Sequence, residues 1–493
     1  MNILLLAPEF PDTFWSFKHA LKFIHRRATS PPLGLLTVAA LLPAAWEKRL
    51  VDLNVASLTD ADLSWADYAF IGAMTVQRES ARQLIARCKA AGVPVVAGGP
   101  LFTAEHEGFV DVDHFVLNEA ELTLAPFLND VARGEPKRLY TSPDYADLHT
   151  TPMPLLELID FRRYSTMPVQ FCRGCPYDCD FCNVTALLGH RPRTKTTTQV
   201  VAELDRLYEL GWRGPVFFVD DNLIGNKRLV KSELLPALAA WQHRSRRMPF
   251  TSQVSMNLAD DDELMRLMTA AGFSTVFIGI ETPDDDALAA CNKKQNIGRN
   301  LVDDVKRIQR AGIEVSAGFI VGFDGDTPST FSRQIEFIQR SGIVTAMVGM
   351  LQAPPGTRLH ARMAREGRLL GEMTGDNVDG TTNIRPQMGL DALLDHYRLL
   401  LSHIYSPRHY YRRVRTFLRE FRRPAVRPRV DVQHMLALVR SAVRLGVIGR
   451  ERIQYWRLLA WTLFTRPRHL PHAVTLAIYG YHFRRVVELH VLQ

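Results

Sequence analysis

The chain has 493 residues, of which 46% are hydrophobic and 23% charged, and its net charge is +8. This length predicts two or three domains, and the composition excludes disordered and collagen-like proteins. No apolar stretch reaches the roughly 18 residues of a membrane span. The first residues lack the basic and cleavable segments of a signal peptide, so we expect a cytoplasmic protein.

Residues 1–125 predict a doubly wound, Rossmann-like α/β domain. Short apolar runs alternate with helical patterns, and strands separated by helices favour a parallel sheet that is covered on both faces. Ligands of such sheets bind at the carboxyl ends of the strands. The residues predicted at these ends are Met74, Thr75, Gly98, Gly99 and Pro100.

The rest of the chain predicts three further segments. Residues 126–165 are rich in Pro, Asp and Thr without clear periodicity, and we interpret them as a linker. From 166 to 355, six strand patterns alternate with longer helical ones. Six β/α units are fewer than the eight of a closed TIM barrel, so we expect an incomplete (β/α)6 barrel with its site at the carboxyl ends of the strands. Residues 356–493 predict a helical C-terminal extension.

Four of the six cysteines lie together, directly after the first predicted barrel strand. Cys175, Cys179 and Cys182 have the spacing C-x3-C-x2-C. Three thiolates on one loop can hold three corners of a [4Fe–4S] cluster and leave the fourth iron open to a substrate. A structural zinc site that also uses Cys172 is the alternative, although its central gap is much shorter than in two-knuckle zinc sites.

The segment C-P-Y-D-C-D-F-C after the first strand of a (β/α)6 array resembles the radical S-adenosylmethionine (SAM) superfamily. The resemblance implies that Cys175, Cys179 and Cys182 ligate the cluster and that the open iron chelates SAM. It further implies that one electron from a flavodoxin- or ferredoxin-type donor yields a 5′-deoxyadenosyl radical, and that Phe181 packs near the adenine. We interpret Cys172 as a strand-end thiol rather than a ligand.

Polar residues at the ends of other barrel strands are candidates for SAM binding. Asp220 and Asp221 end the second strand, where carboxylates can accept from the SAM ammonium; the alternative is a helix N-terminus. Gln253 ends the third strand and Glu281 the fourth, where an acid can accept from both ribose hydroxyls; the alternative for each is a surface residue. Gly318 on the fifth strand allows close backbone approach, as the resemblance implies near adenine.

The doubly wound domain ahead of this barrel resembles the cobalamin-binding domain of class B radical SAM methyltransferases. The resemblance rests on A-P-E-F after the first strand, S-P-P-L-G-L at 30–35, V-A-G-G-P at 96–100 and N-E-A-E at 118–121, which includes Glu119. It implies cobalamin at the strand ends, where glycines let a flat macrocycle lie against the backbone. Because the D-x-H-x-x-G motif is absent, we expect no histidine ligand, and we interpret His106 and His114 as surface residues.

The positive charge is densest after residue 405, where Y-S-P-R-H-Y-Y-R-R-V-R-T-F-L-R-E-F-R-R interleaves arginines with aromatic residues. Residues 452–493 combine Trp, Tyr and Leu with Arg and His. Such a tail suits peripheral contact with the inner face of an anionic membrane, or contact with RNA or an acidic substrate. The alternative is a helical bundle on the barrel with solvated basic faces. Nucleic acid is disfavoured because no compact RNA-binding module is visible.

Over nearly its whole length the chain resembles the group of hopanoid C-2 methylases and bacteriochlorophyll side-chain methylases. F-F-V-D-D-N, G-I-E-T-P-D and I-Y-S-P-R-H-Y-Y carry this likeness beside the cysteine loop. It implies a [4Fe–4S] cluster, SAM and cobalamin, and methylation of an unactivated carbon in an apolar isoprenoid or tetrapyrrole-like substrate. A cobalamin-dependent radical SAM cyclisation or rearrangement, and an RNA-modifying radical SAM protein, are the alternatives.

Overall fold

Two parallel six-stranded sheets and a helical C-terminal region organise the chain in a computed structural model that describes residues 1–376, 378–423, 426 and 432–492. The strands are β1 Asn2–Ala7, β2 Glu47–Asp52, β3 Tyr68–Gly72, β4 Val95–Gly98, β5 His114–Val116, β6 Leu139–Tyr140, β7 Met167–Val169, β8 Cys172–Arg173, β9 Arg193–Thr194, β10 Val216–Phe218, β11 Phe250–Gln253, β12 Phe273–Glu281, β13 Glu314–Val321 and β14 Ala346–Met350. The helices are α1 Lys18–Leu21, α2 Leu33–Leu41, α3 Asp60–Trp65, α4 Arg78–Ala90, α5 Pro100–Glu105, α6 Ala120–Arg133, α7 Val184–Leu188, α8 Thr197–Glu209, α9 Lys227–Leu229, α10 Leu235–Trp241, α11 Asp262–Ala271, α12 Asp285–Ala290, α13 Leu301–Ala311, α14 Pro328–Ser341, α15 Arg358–Arg365, α16 Leu390–Tyr405, α17 Pro407–Glu420, α18 Val432–Val443, α19 Arg452–Thr465 and α20 Leu470–His490.

The N-terminal sheet has the strand order β2-β1-β3-β4-β5-β6, and all its pairings are parallel. The predicted doubly wound domain is confirmed. Residues 3–6 of β1 are fully buried, as expected of a central strand that is covered by helices on both faces. The order reverses between β1 and β3, so the ligand edge lies at the carboxyl ends of these two strands and of β4.

The segment interpreted as a linker carries regular structure of its own. Residues 126–165 include the second half of α6 and the strand β6, which pairs with β5 through Phe115 and Leu139. A two-residue strand cannot show the alternation of apolar and polar residues by which strands are recognised. Its place at the edge of the sheet therefore has no local signal in the sequence.

The second sheet has the order β14-β13-β12-β11-β10-β7 and is also parallel throughout. These are the six predicted barrel strands, and the described residues show no pairing between β14 and β7, so the barrel is open. On β12, Thr275, Phe277 and Gly279 are partly exposed, whereas the residues between them are fully buried. This alternation separates an inner face that borders an open lumen from an outer face covered by helices.

The C-terminal region is helical, as predicted, and it holds an N-terminal segment against the barrel. The rings of Phe14 and Phe17 lie 5.4 Å and 5.7 Å from that of Phe483 on α20. Between them, the Trp15 ring reaches the inner face of β12, 4.8 Å from Phe277. None of the described helices combines the length and apolar character needed to cross a membrane.

Candidate cofactor site

The cysteine loop follows β7 and lies between β8 and β9, which pair as a short antiparallel hairpin. The Cys175 amide donates to Gly189 O at 3.2 Å, and the Cys182 amide donates to Cys179 O at 3.1 Å. All three loop thiols are partly exposed. Burial raises the pKa of each, that of Cys182 to about 12, so the thiols are protonated without a metal and would release protons when they bind one.

Within the described residues, no group of three or more His, Cys, Asp or Glu side chains converges closely enough to hold a single metal ion. A [4Fe–4S] cluster needs a different arrangement, because each thiolate ligates its own iron atom. Cys172 is buried at the start of β8, and its Sγ donates to Asn222 O at 3.6 Å. This is the environment of a strand-end thiol.

Lys293 and Gln295 face the loop from the turn after α12. Lys293 Nζ lies 2.5 Å from Glu281 Oε1. Burial alone lowers the pKa of Lys293, but the carboxylate of Glu281 outweighs it and raises the pKa, so the ammonium is charged. Gln295 Nε2 lies 3.7 Å from Cys179 Sγ and donates to it. A positive charge and a hydrogen-bond donor beside the sulfurs suit thiolate ligands.

Glu281 ends β12 in a strained conformation. Its φ is +65°, and the pairing of β12 with β13 shifts register between Gly279 and Glu281, which marks a β-bulge. The bulge turns the carboxylate toward Lys293, and a methyl group at Gly279 would collide with that carboxylate. The structure thus places Glu281 at the predicted strand end in an ion pair, and its contact with a ribose stays a prediction.

Asp220 and Asp221 lie beneath the cysteine loop at the end of β10. Asp220 Oδ1 accepts from the amides of Phe171, at 2.9 Å, and Cys172, whereas its buried Oδ2 has no partner among the described residues. Burial raises the pKa of Asp220 to about 7 and that of Asp221 to about 6, although Asp221 also accepts from the Gly174 amide. Both side chains therefore support the loop, and their contact with SAM stays a prediction.

The remaining predicted SAM contacts border the lumen or the loop. Gln253 is partly exposed at the end of β11. A methyl group at Gly318 would lie 3.0 Å from Phe277 Cζ, so this glycine leaves space for the Phe277 ring, which borders the lumen. Phe181 lies with its ring 6.2 Å from that of Phe323 and 5.9 Å from Lys293 Nζ. Its contact with adenine stays a prediction.

The ligand edge of the N-terminal sheet carries the predicted cobalamin contacts. Met74, which follows β3, is 52% exposed and offers an apolar surface there, and Thr75 follows it. Local backbone geometry alone explains why glycine stands at positions 98 and 99. A methyl group at Gly98 would lie 2.6 Å from Val116 O, and Gly99 has a φ of +92°, so β4 requires glycines here without any ligand. Pro100 begins α5.

Glu119 and Glu121 join the N-terminal domain to the cysteine loop. Arg173 of β8 lies 2.9 Å from Glu119 and 2.8 Å from Glu121, and Arg193 of β9 lies 2.9 Å from Glu119. The Glu119 side chain is 4% exposed, and it also accepts from the Ala146 amide at 2.7 Å. We call these four charged residues the clamp. Both carboxylate oxygens of Glu119 are engaged by the arginines of the clamp. The predicted contact of Glu119 with cobalamin stays a prediction.

Family models match the three parts of the chain. The B12 binding domain matches residues 23–128, the radical SAM superfamily matches 169–338, and a domain of unknown function (DUF4070) matches 357–493. Residues 23–128 contain the carboxyl ends of β3 and β4 at the N-terminal ligand edge, and 169–338 contain the cysteine loop and four complete barrel strands, β10 to β13. Fold and site thus define the class: a radical SAM enzyme with a B12-binding domain.

Relatives identify the family within this class. The chain is 40% identical, over 99% of its length and 92% of the relative's, to an uncharacterized methyltransferase of Synechocystis sp.. It is 33% identical, over 92% of its length and 88% of the relative's, to the hopanoid C-2 methylase of Rhodopseudomonas palustris. The chain belongs to the cobalamin-dependent radical SAM methyltransferases. This confirms the predicted cofactors: a [4Fe–4S] cluster, SAM and cobalamin.

A solved structure supports the fold over the whole chain. The cobalamin-dependent SAM radical enzyme OxsB, with aqua-cobalamin and SAM bound, aligns with a TM-score of 0.64 and 13% identity over 100% of this chain and 79% of its own. The radical SAM methyltransferase TsrM from Kitasatospora setae aligns with a TM-score of 0.58 and 16% identity over 74% of this chain and 78% of its own. At these identities the likeness shows the fold alone.

Proposed function

We propose that the enzyme methylates an unactivated carbon of an apolar polycyclic substrate, isoprenoid or tetrapyrrole-like. The clamp is the observation that carries this proposal, because it fastens the cysteine loop of the barrel to the segment after β5 of the B12-type sheet. When bound, the three cofactors supply radical generation and a transferable methyl group. The chain's own part is to hold their sites together and to exclude water.

The residues present fit these cofactors. Cys175, Cys179 and Cys182 offer three soft donors on one loop, as an open-cornered cluster requires. Asp220 Oδ2 and Gln295 Oε1 are buried acceptors without a partner in the described part of the chain, and they suit the ammonium group of SAM. These assignments are proposals, as are those of Phe181, Gln253, Glu281 and Gly318 to SAM.

For cobalamin, we propose the ligand edge of the N-terminal sheet. Exposed Met74 offers the apolar surface that a corrin face would cover, and Gly98 and Gly99 bring backbone to the same edge. His106 and His114 are partly exposed, and the ring of His114 contacts Lys137 O at 2.8 Å. We therefore propose neither of them as a cobalt ligand.

An apolar substrate suits the lining of the lumen. Phe277 on β12 and Ile320 on β13 are partly exposed on its inner face, and Trp15 contacts Phe277 from the N-terminal segment. The named relatives include a hopanoid C-2 methylase and, at 27% identity over 67% of this chain, a bacteriochlorophyllide d C-12(1)-methyltransferase of Chlorobaculum tepidum. Both names denote large, mostly apolar ring systems. We further propose a flavodoxin- or ferredoxin-type donor for the electron that reduces the cluster. We also propose peripheral contact with the inner face of a membrane, because an apolar substrate partitions into lipid.

The test is methyl transfer from trideuteromethyl-labelled SAM under anaerobic conditions, with dithionite and methyl viologen as reductant. A hopene in detergent is the first substrate and bacteriochlorophyllide d the second. We expect one trideuteromethyl group in the product of one of them. Trp15→Ala should slow this transfer without changing the iron or cobalt content, whereas Trp65→Ala on the outer helix α3 should not. A new product without added mass would indicate cyclisation or rearrangement instead of methyl transfer. If neither substrate gains the label or gives a new product, the proposed substrate class is rejected.

A further inference from the structure

The C-terminal region presents an apolar surface that nothing in the described chain covers. It is formed by α18, a turn of π-helix over Arg444–Ile448, and α19, and we call it the outer face. Large apolar side chains that are between half and nearly fully exposed follow one stripe of each element: Met435, Val439, Val443, Ile448, Ile453 and Phe464. Phe464 is 85% and Ile448 63% exposed. Contiguous patches of this kind are rare on surfaces that meet only water.

The exposed stripes of α18 and α19 lie on the sides of these helices that the protein core leaves open. Ala437 on α18, Leu445 in the turn, and Tyr455 and Leu458 on α19 are buried in the core that includes α20. Both α18 and α19 pack against α20, so their exposed stripes both point away from it. In the turn that joins the two helices, Val447 and Ile448 are exposed as well, whereas Leu445 is buried.

The charge around the outer face is positive. Arg450, Arg452 and Arg457 are exposed, and none of them forms an ion pair within the described part of the chain. Residues 432–492 contain two side-chain carboxylates: Glu451 is buried against Arg484, and Glu488 is partly buried and paired with Arg485 at 2.9 Å. The face therefore combines apolar side chains and unpaired guanidinium groups without an exposed acid in that range.

We propose that the outer face is a docking surface for an anionic lipid bilayer. Apolar side chains enter the boundary between headgroups and acyl chains, and arginines beside them pair with lipid phosphates. Trp456, half exposed with its indole donating to Gly446 O at 2.9 Å, has the amphipathic character of interfacial tryptophans. A protein partner would need matching acids, whereas an anionic bilayer supplies negative charge and an apolar layer at once. This site deepens the membrane contact proposed above and is independent of methyl transfer.

Vesicle binding of the full-length, cofactor-loaded protein tests the site. Vesicles of phosphatidylcholine alone are compared with vesicles that also contain phosphatidylglycerol, by co-sedimentation at low and high salt. Wild type should prefer the anionic vesicles, and salt should weaken that preference. Ile448→Glu/Phe464→Glu should reduce binding at least about tenfold, and Arg450→Ala/Arg452→Ala should reduce it about fivefold per arginine. Val110→Glu/Leu399→Glu, at 74% and 58% exposed positions elsewhere, is the matched control and should bind as wild type does.

Each contrary result has a distinct meaning. If wild type binds anionic vesicles and the double glutamate variant binds them equally, the protein does contact membranes, but the outer face is not the binding site. If wild type binds neither vesicle, both membrane contact and this site are rejected, and the proposed reaction stands or falls by its own assay. If the wild type is a dimer that the glutamate variant converts to monomers without any vesicle binding, the face joins two copies of the chain, which overturns the proposal.

Discussion

Replacement of Arg173 by alanine should loosen the attachment of the cysteine loop to the N-terminal domain, leaving only the ion pair of Arg193 with Glu119 in the clamp. The guanidinium group contacts Glu119 and Glu121 at 2.9 and 2.8 Å, and the two carboxylate side chains are 4% and 6% exposed. Removal of one partner from a buried ion pair costs about 3–5 kcal/mol, because the remaining charge stays buried without compensation. Burial raises the pKa of Glu121, but Arg173 outweighs it and holds the pKa below its ordinary value. The variant should therefore lose more stability at pH 8 than at pH 5, where Glu121 can take up a proton.

Hydrogen exchange at the Lys195 amide reports this local opening. That amide donates to Phe171 O at 2.8 Å, two residues beyond Arg193, and it lies outside the proposed cluster ligands. A loss of about 3 kcal/mol corresponds to exchange that is faster by roughly 100-fold or more. Arg340→Ala is the matched control, because Arg340 pairs with Glu336 on the exposed side of α14 at 3.2 Å. Such a pair contributes about 0.5 kcal/mol at most.

The reasoning is refuted if Lys195 exchanges no faster in the Arg173 variant than in the Arg340 variant. A rescue strengthens the test. If Arg173→Met is combined with Glu121→Gln, Glu119 keeps its ion pair with Arg193 and no clamp charge is left unpaired, so protection of Lys195 should recover in part.

Three further predictions concern single positions. Lys293→Met leaves a buried carboxylate unpaired and should lower the thermal midpoint and weaken SAM binding measured by equilibrium dialysis, whereas exposed Lys294→Met should change neither. Gly98→Ala places a methyl group 2.6 Å from a carbonyl oxygen and should lower the thermal midpoint, whereas Gly34→Ala, with open space around it, should not. Burial lowers the pKa of His482 to about 4, so the folded protein keeps this ring neutral while the unfolded chain protonates below pH 6.5. Stability should fall by about 3 kcal/mol between pH 6.5 and 4 on this account, and urea titrations of His482→Phe should show a shallower fall; an unchanged slope would contradict it.

The fold could be predicted because its signals are local. Continuous apolar runs such as residues 3–6 mark buried parallel strands, and the helical patterns between them set the order of the sheets. The cysteine loop was equally visible, since its three ligands are neighbours in the sequence. By contrast, β6 is too short for any pattern to appear.

The contacts that assemble the site are long-range and have no such signal. Arg173 meets Glu119 across 54 positions of sequence, and Lys293 comes to the loop from a turn after α12 in which two lysines are adjacent. Nothing in the sequence distinguishes buried Lys293 from exposed Lys294. The predicted cobalamin contact Glu119 illustrates the same limit, because the pattern that singled it out could not show that arginines of the barrel already hold it.

The proposed reaction depends on both metal cofactors, and elemental analysis measures them directly. Anaerobically purified wild type is compared with Cys175→Ala/Cys179→Ala/Cys182→Ala for iron, sulfide, cobalt and zinc, together with visible spectra. We predict about four irons and four sulfides per chain in wild type, their loss in the triple variant, and cobalt in both. Zinc in wild type without iron or cobalt, or iron that persists in the triple variant, would contradict the account.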